Sequence, residues 1–275
     1  LTAAAATSRW SLGAWGETTG YPGSIQFFQQ RLGFGNTRTE SQTTWLSVTA
    51  AFETFSPTEP DGTPVSDNAV TLFLGGEQTA RIEWMLSDRK LLYGTSAGVK
   101  SLDGTGESNA VTPTQFNVRE AAKYVCAANI QPLRVGGTCF YVQSGGRKIR
   151  GLLFDNQQDG YSADDVTLLA EHITAGRVKE LDVAEAPHSL VWAVMQDGRL
   201  AAMTFNKENG ILSWSRHILG GTGVLANSLC VIPRETYDQV WMVVERTING
   251  VTAQYVEYMV EPFDESEDDP ETAWN

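Results

Sequence analysis

The stretch SLVWAVMQDGRLAAMTFN, residues 189–206, decides the fold class. Leu190, Trp192 and Val194, then Leu200, Ala202 and Thr204, fall on alternate positions, the two-residue period of a pleated strand. Asp197-Gly198 lies between the two runs. Glycine accepts the positive φ of a tight primed turn, and aspartate tolerates the left-handed region better than most residues, so the segment is predicted to be a β-hairpin. Asp197 is accordingly read as a turn residue and not as a catalyst.

The same design recurs. RIEWMLSDRKLLYGTSAGVKSL (81–102), GTCFYVQSGGRKIRGLLFD (137–155) and QVWMVVERTINGVTAQYVEYM (239–259) each climb an apolar or aromatic strand to a glycine turn and descend on an alternating one. The turn glycines Gly98, Gly146, Gly198 and Gly250 follow one another at intervals of about 50 residues, close to the repeat of kelch-type propeller blades. An earlier unit pairs SIQFFQQRLGFGNT (24–37) with TTWLSV (43–48) and is displaced by the insertion SPTEPDGTPVSDN (56–68). GVLANSLCVI (223–232) reads as one of the weaker outer strands that such blades need. The expected architecture is an all-β propeller of about five or six blades at this length.

One segment breaks the pattern. SADDVTLLAEHITAG (162–176) sets Val166, Leu169, Ala170 and Ile173 at helical spacing. Ser162 with Asp165 three residues on makes a capping-box start and Gly176 a stop, so one inserted α-helix is predicted over about 163–175.

Composition bounds the function. The chain of 275 residues has 33 acidic against 20 basic residues, a formal charge of −13, which excludes a duplex-binding surface because phosphate contacts need clustered Lys and Arg. The acidic run 262–275, in EPFDESEDDPETAWN, reads as a solvated, flexible tail. No apolar run approaches the length of a membrane span, and LTAAAATSRW is no secretion signal. The sequence does not begin with Met, which suggests a domain cut from a longer polypeptide. Residues 1–20 are then an N-terminal flank, 21–261 the propeller domain and 262–275 the tail. Cys126, Cys139 and Cys230 sit among apolar neighbours without metal-ligand spacing and are expected to be buried free thiols.

Candidate chemistry is sparse. His172, His188 and His217 are the only histidines, and none has a carboxylate or Cys at ligand spacing, so no metal is expected. Asp164 and Asp165 could pose as the paired carboxylates of a glycosidase, but at a helix start they serve as caps. GFGNT (33–37) and VGGT (135–138) lack the Lys of a phosphate loop and read as turns or bulges. Trp45, Trp84, Trp192, Trp214 and Trp241 could line a sugar-binding groove; filling the interfaces between blades is the better use of side chains this large. No catalytic, cofactor-binding or metal-binding residue is assigned, and the chain is not expected to be an enzyme.

GYPGSIQFFQQRLGFGNTRTESQTTWLSVTAAFETFS (20–56), GYSADDVTLLAEHI (160–173) and PHSLVWAVMQDGRLAAMTFNKENGILSWSRH (187–217) resemble, in order and spacing, the tail nozzle or tail-hub proteins of short-tailed bacteriophages, the tail tubular protein B-like family. The resemblance covers about residues 20–260. It implies a non-catalytic structural subunit of the virion, made in the bacterial host cytoplasm. Such a subunit joins a homo-oligomeric, typically hexameric, ring and contacts other tail proteins such as the adaptor and a fibre or spike. Genome DNA passes through the ring without specific binding, which an acidic lumen would favour. The alternative in the same setting is a carbohydrate-binding or glycan-cleaving tail propeller. A host adaptor of the WD type lacks support, because GH…WD repeats are absent.

Overall fold

The structure is a computed structural model that describes residues 13–76, 79–106, 109–157 and 159–260. The chain divides into two compact units, Leu1–Val125 and Cys126–Asn275. Among the described residues every sheet is antiparallel and built from strands consecutive in sequence. The first unit holds two four-stranded sheets. One is β1 (Ser24–Phe28), β2 (Arg31–Gly35), β3 (Thr43–Leu46) and β4 (Val70–Phe73); the other is β5 (Ile82–Ser87), β6 (Leu91–Thr95), β7 (Gly98–Asp103) and β8 (Asn117–Ala122). The second unit holds three. The third sheet is β9 (Leu133–Val135), β10 (Thr138–Val142), β11 (Ile149–Asp155) and β12 (Gly160–Asp165). The fourth is β13 (Val178–Ala184), β14 (Leu190–Met195), β15 (Leu200–Asn206) and β16 (Ile211–His217). The fifth has three strands, β17 (Leu225–Pro233), β18 (Asp238–Ile248) and β19 (Val251–Tyr258).

The 50-residue period is the period of these sheets. Gly98, Gly146, Gly198 and Gly250 all have positive φ, and each sits in the hairpin between the second and third strands of its sheet. The all-β expectation therefore holds. The turn at Asp197-Gly198 differs in detail from a two-residue primed turn. Met195 N–H donates to Arg199 O at 2.9 Å and Gly198 N–H to Met195 O at 3.0 Å. Only Gly198, at φ 77°, is left-handed, so the loop is Gln196-Asp197-Gly198 with a glycine bulge. The primed turn is instead at Asn249-Gly250, with φ of 51° and 79° and Ile248 paired to Val251.

The hairpin ends also join one sheet to the next. Gly198 O accepts the Ala226 N–H at 2.9 Å, near the start of β17, and Gly146 O accepts the Val178 N–H at 2.7 Å, at the start of β13. In the first unit Ser41 O, between β2 and β3, accepts the Ile82 N–H at 3.0 Å, at the start of β5. Each junction closes over an apolar layer between neighbouring sheets. Phe140, Val142 and Ile149 of the third sheet meet Val191, Ala193 and Met203 of the fourth. The opposite face of the fourth sheet, with Trp192, Val194 and Ala202, meets Ala226, Met242 and Val244 of the fifth. In the first unit Leu46, Val70 and Leu72 pack with Met85, Leu91 and Tyr93. Trp192 thus fills an interface between sheets, as expected, and Trp45 and Trp84 are also buried.

The insertion after β3 is held by a buried arginine. The Arg31 guanidinium donates to the carbonyls of Ser47 (2.7 Å), Ser66 (2.8 Å), Asp67 (3.2 Å) and Asn68 (2.6 Å). Burial lowers its pKa, against the attraction of Asp67. The four carbonyls satisfy donors that would otherwise be costly to bury.

Three expectations are corrected. The α-helix over 163–175 does not form: residues 160–165 are β12, the edge strand paired with β11 from Asp155–Gly160 to Arg150–Asp165, and only Thr174–Gly176 makes a single 3₁₀ turn. Asp165 ends the strand by accepting the Thr167 N–H, and the chain then takes successive three-residue turns (Ala170 N–H to Thr167 O, Ile173 N–H to Ala170 O). These turns bury Val166, Ala170 and Ile173 without a helix, and leave Leu169 outside. The stretch 223–232 supplies most of β17 (Leu225–Pro233), which is an edge strand of the fifth sheet but, at nine residues, not the weak one expected. Cys126 and Cys139 are buried as expected, but Cys230 is exposed, because it lies on the face of β17 turned away from the fourth sheet. The tail 262–275 lies outside the described residues. Among the described residues no helix is long and apolar enough to cross a membrane.

A Cβ on Gly198 would come within 2.7 Å of the Leu225 Cβ, on top of the positive φ, whereas one on Gly136 (φ 57°) would meet nothing within 4 Å. Gly198→Ala should therefore cost about 2–4 kcal/mol, the sum of left-handed strain and overpacking, and Gly136→Ala about 1 kcal/mol. Equal losses in urea unfolding would contradict the junction's role.

Candidate functional site

The segment that fails to become a helix builds an apolar cleft in the second unit. Its floor is Val166, Ala170 and Ile173, and its far wall is Leu212 and Trp214 of β16; the cavity measures about 340 Å³. The Trp214 indole N–H donates to Val166 O at 2.9 Å and ties the two walls together. Leu168 and Leu169, at 64% and 92% exposure, stand at the rim, and Ile211 and Leu212 continue the apolar surface.

Charge is confined to one edge of the cleft. Asp165 Oδ1 accepts the Thr167 N–H at 3.0 Å and its hydroxyl at 2.7 Å, while Oδ2 meets Lys148 Nζ at 2.9 Å. Lys148 also reaches Glu171 at 3.2 Å. Burial alone would raise the Asp165 pKa, but the Thr167 hydroxyl and Lys148 outweigh it and the carboxyl titrates below its usual range. Asp165 is thus a buttress held ionised, not a proton donor near neutrality.

The structure brings Asp165, His172 and Trp214 to this cleft and scatters the other candidates. Asp164 and Asp165 are neighbours on a strand, so their side chains leave on opposite faces and cannot act as a carboxylate pair. His188 precedes β14. His217 ends β16, its Nε2 3.0 Å from Ser215 Oγ and its ring 4.7 Å from that of Trp192. No cluster of three or more His, Cys, Asp or Glu side chains suited to a metal occurs among the described residues. Trp241 lies on the fifth sheet against Tyr258, at 5.0 Å, so the five tryptophans form no common groove. Asp197 accepts Arg199 Nε at 2.8 Å and Nη2 at 2.5 Å, and that pairing lowers its pKa. It shapes its turn, as the sequence suggested.

Two carboxylates escaped the sequence reading. On β13, Glu180 accepts the Leu229 N–H at 3.1 Å and Asp182 the Val231 N–H at 2.7 Å, while Lys179 donates to Asn227 O at 2.6 Å. They cap the free edge of β17. The alternate spacing of Glu180 and Asp182 places both on one face, a detectable signal, but nothing in the sequence says what faces them. A second cleft, of about 560 Å³ in the first unit, holds Lys100, Arg119, Glu120 and Lys123. Lys100 there donates to the carbonyls of Leu74 and Gly75 at 2.9 and 2.6 Å, so its charge serves the fold.

No protein-family model matches the sequence, and no curated protein matches it. Similar folds occur among solved structures. A candidate 6-phosphogluconolactonase from Bacteroides uniformis is 10% identical, with 86% of this chain and 74% of that chain aligned at a TM-score of 0.45. Another from Bacteroides fragilis is 10% identical over 87% and 73%, TM-score 0.46. An auxiliary nutrient binding protein from Bacteroides thetaiotaomicron is 8% identical over 87% and 57%, TM-score 0.44. These findings correct the expected role as a phage tail nozzle, and with it the glycan-directed tail propeller. The neighbours bear lactonase and nutrient-binding names, and none of the three is a tail component. At this level of likeness none of their activities transfers to this chain.

His217 is exposed at the end of β16, but partial desolvation of its ring, which lies against Trp192, lowers its pKa. Between that lowered value and about 6.5 the unfolded chain holds a proton that the folded one refuses, so stability falls as pH drops through about 6.5. Thermal unfolding from pH 7.5 to 5.5 should show this loss, and His217→Gln should flatten it. An unchanged slope in the variant would remove His217 as its source.

Proposed function

We propose that the chain is a non-enzymatic protein-interaction module of the β-propeller type, each small sheet a blade. Its docking site is the cleft between residues 165–173 and β16. The observation that carries this reading is the concentration of exposed leucines, Leu168, Leu169 and Leu212, around an apolar cavity walled by Trp214. Solvent-facing apolar clusters of this kind mark interaction sites more often than isolated exposed side chains do. The cleft suits one large apolar anchor from a partner, a leucine or aromatic side chain, with polar contacts at the Asp165–Lys148–Glu171 edge.

Support for a non-catalytic role comes from what the polar groups already do. Asp165 is bound by Thr167 and Lys148, Asp197 by Arg199, and Glu180 and Asp182 by strand amides. A general acid or base needs a poised pKa and a free line to substrate; these carboxylates are committed to neighbours.

Leu169→Asp should leave the melting temperature within about 2 °C, since the side chain touches solvent and surface substitutions of this kind shift stability by under ~0.5 kcal/mol. Selection of a random peptide library against the protein should enrich peptides with leucine or aromatic anchors, and the variant should lose them. Retention of the same peptides by the variant would place the docking site elsewhere.

A further inference from the structure

We infer that the outer edge of β19 accepts an extended, cationic segment of a partner protein, which adds a fourth strand to the fifth sheet. Among the described residues this sheet has three strands where each of the others has four. Its two edges are treated differently. The outward amides of β17 at Leu229 and Val231 are capped by Glu180 and Asp182. On β19, Val251 and Ile248 flank the two-residue turn, Tyr255 pairs with Val244, and Met259 N–H donates to Val240 O at 2.9 Å. In such a ladder every second residue bonds inward, so Thr252, Gln254, Val256 and Tyr258 present their N–H and C=O groups outward.

That edge lacks the usual defences. Sheet edges are commonly blunted by shortness, by Pro or charge, or by a bulge. β4 has four residues; β8 carries Arg119 and Glu120 and pairs with β7 through a register shift; β12 ends in Asp164-Asp165; β16 carries Arg216 and His217. β19 runs eight residues in unbroken register. Its one charge, Glu257, is held by Arg246, whose Nη2 lies 2.7 Å from Glu257 Oε2. Val256 and Tyr258, 70% and 51% exposed, stand on one face with Trp241, ready to contact alternate side chains of an added strand.

Charge selects the partner. The sequence just beyond Val260 carries seven carboxylates between Glu261 and Asn275, within a chain of net charge −13. A second copy would carry the same net charge and be repelled, whereas a segment alternating apolar and basic residues is attracted to the acidic chain. This surface is separate from the apolar cleft, and either can fail without the other.

The test uses the full chain and a fluorescein-labelled peptide of alternating valine and lysine, with its valine–glutamate counterpart as control. The lysine peptide should bind, more weakly as salt rises, and should slow amide exchange at Thr252, Gln254, Val256 and Tyr258 while leaving Ala253 and Tyr255 unchanged. Gln254→Pro, which removes an outward donor and keeps the ladder to β18, should weaken binding at least tenfold. Thr252→Pro serves as a second variant, and the thermal transition of each checks its folding. Binding without protection of those four amides, equal binding of the glutamate peptide, undiminished binding by both folded proline variants, or prior protection of the edge in a dimer of the protein would each overturn the inference.

Discussion

A backbone carbonyl in one hairpin, bonded to an N–H at the start of the next sheet, is the contact on which the rest of this architecture depends. Gly198 O to Ala226 and Gly146 O to Val178 repeat it within the second unit, and Ser41 O to Ile82 within the first. A small antiparallel sheet buries little apolar surface by itself and is marginal alone. Fixing where its successor begins sets which faces meet. The layers around Phe140 and Met203, and around Trp192 and Met242, then close in register. At Gly198 and Gly146 a Cβ would meet the incoming segment, at 2.7 Å from the Leu225 Cβ and 3.1 Å from the Arg177 Cβ, so glycine is favoured there, whereas Ser41 makes the same bond with its side chain in place.

The polar groups follow from the same constraint. Stacking sheets leaves strand edges and loop carbonyls turned toward protein instead of water, and each must find a partner. Glu180 and Asp182 answer for β17, Arg31 for the insertion after β3, and Asp165 for the end of β12. Side chains that resemble catalytic candidates in sequence are thereby committed to architecture. Among the described residues, stacking leaves uncovered the apolar cleft beside Trp214 and the outer edge of β19.

The legible features were those set by local periodicity. Alternation identified the strands around Asp197-Gly198, and the glycine interval marked one hairpin in each of four sheets. The segment 162–176 misled because apolar residues three and four apart satisfy a helix and a chain of three-residue turns equally well. Pairing of 160–165 with β11 consumed the backbone groups a helix would have needed. The turn type at Asp197 was missed for a related reason: an Asp-Gly pair is compatible with a primed turn or with a glycine bulge, and the Met195–Arg199 register chooses. Cys230 looked like its buried counterparts because an apolar neighbourhood in sequence does not say which face of a strand is covered.

By itself, then, the sequence determined an all-β chain, its repeat of about 50 residues, the turn role of Asp197 and the burial of Trp192, since each rests on strand period and glycine's access to positive φ. Only the tertiary structure decided the path of 162–176, the partners of Glu180 and Asp182, the cleft at Trp214 and the edge of β19 that no strand among the described residues pairs. These depend on which backbone groups are left unsatisfied after the sheets pack, a property of pairs of segments far apart in the chain that no local pattern records.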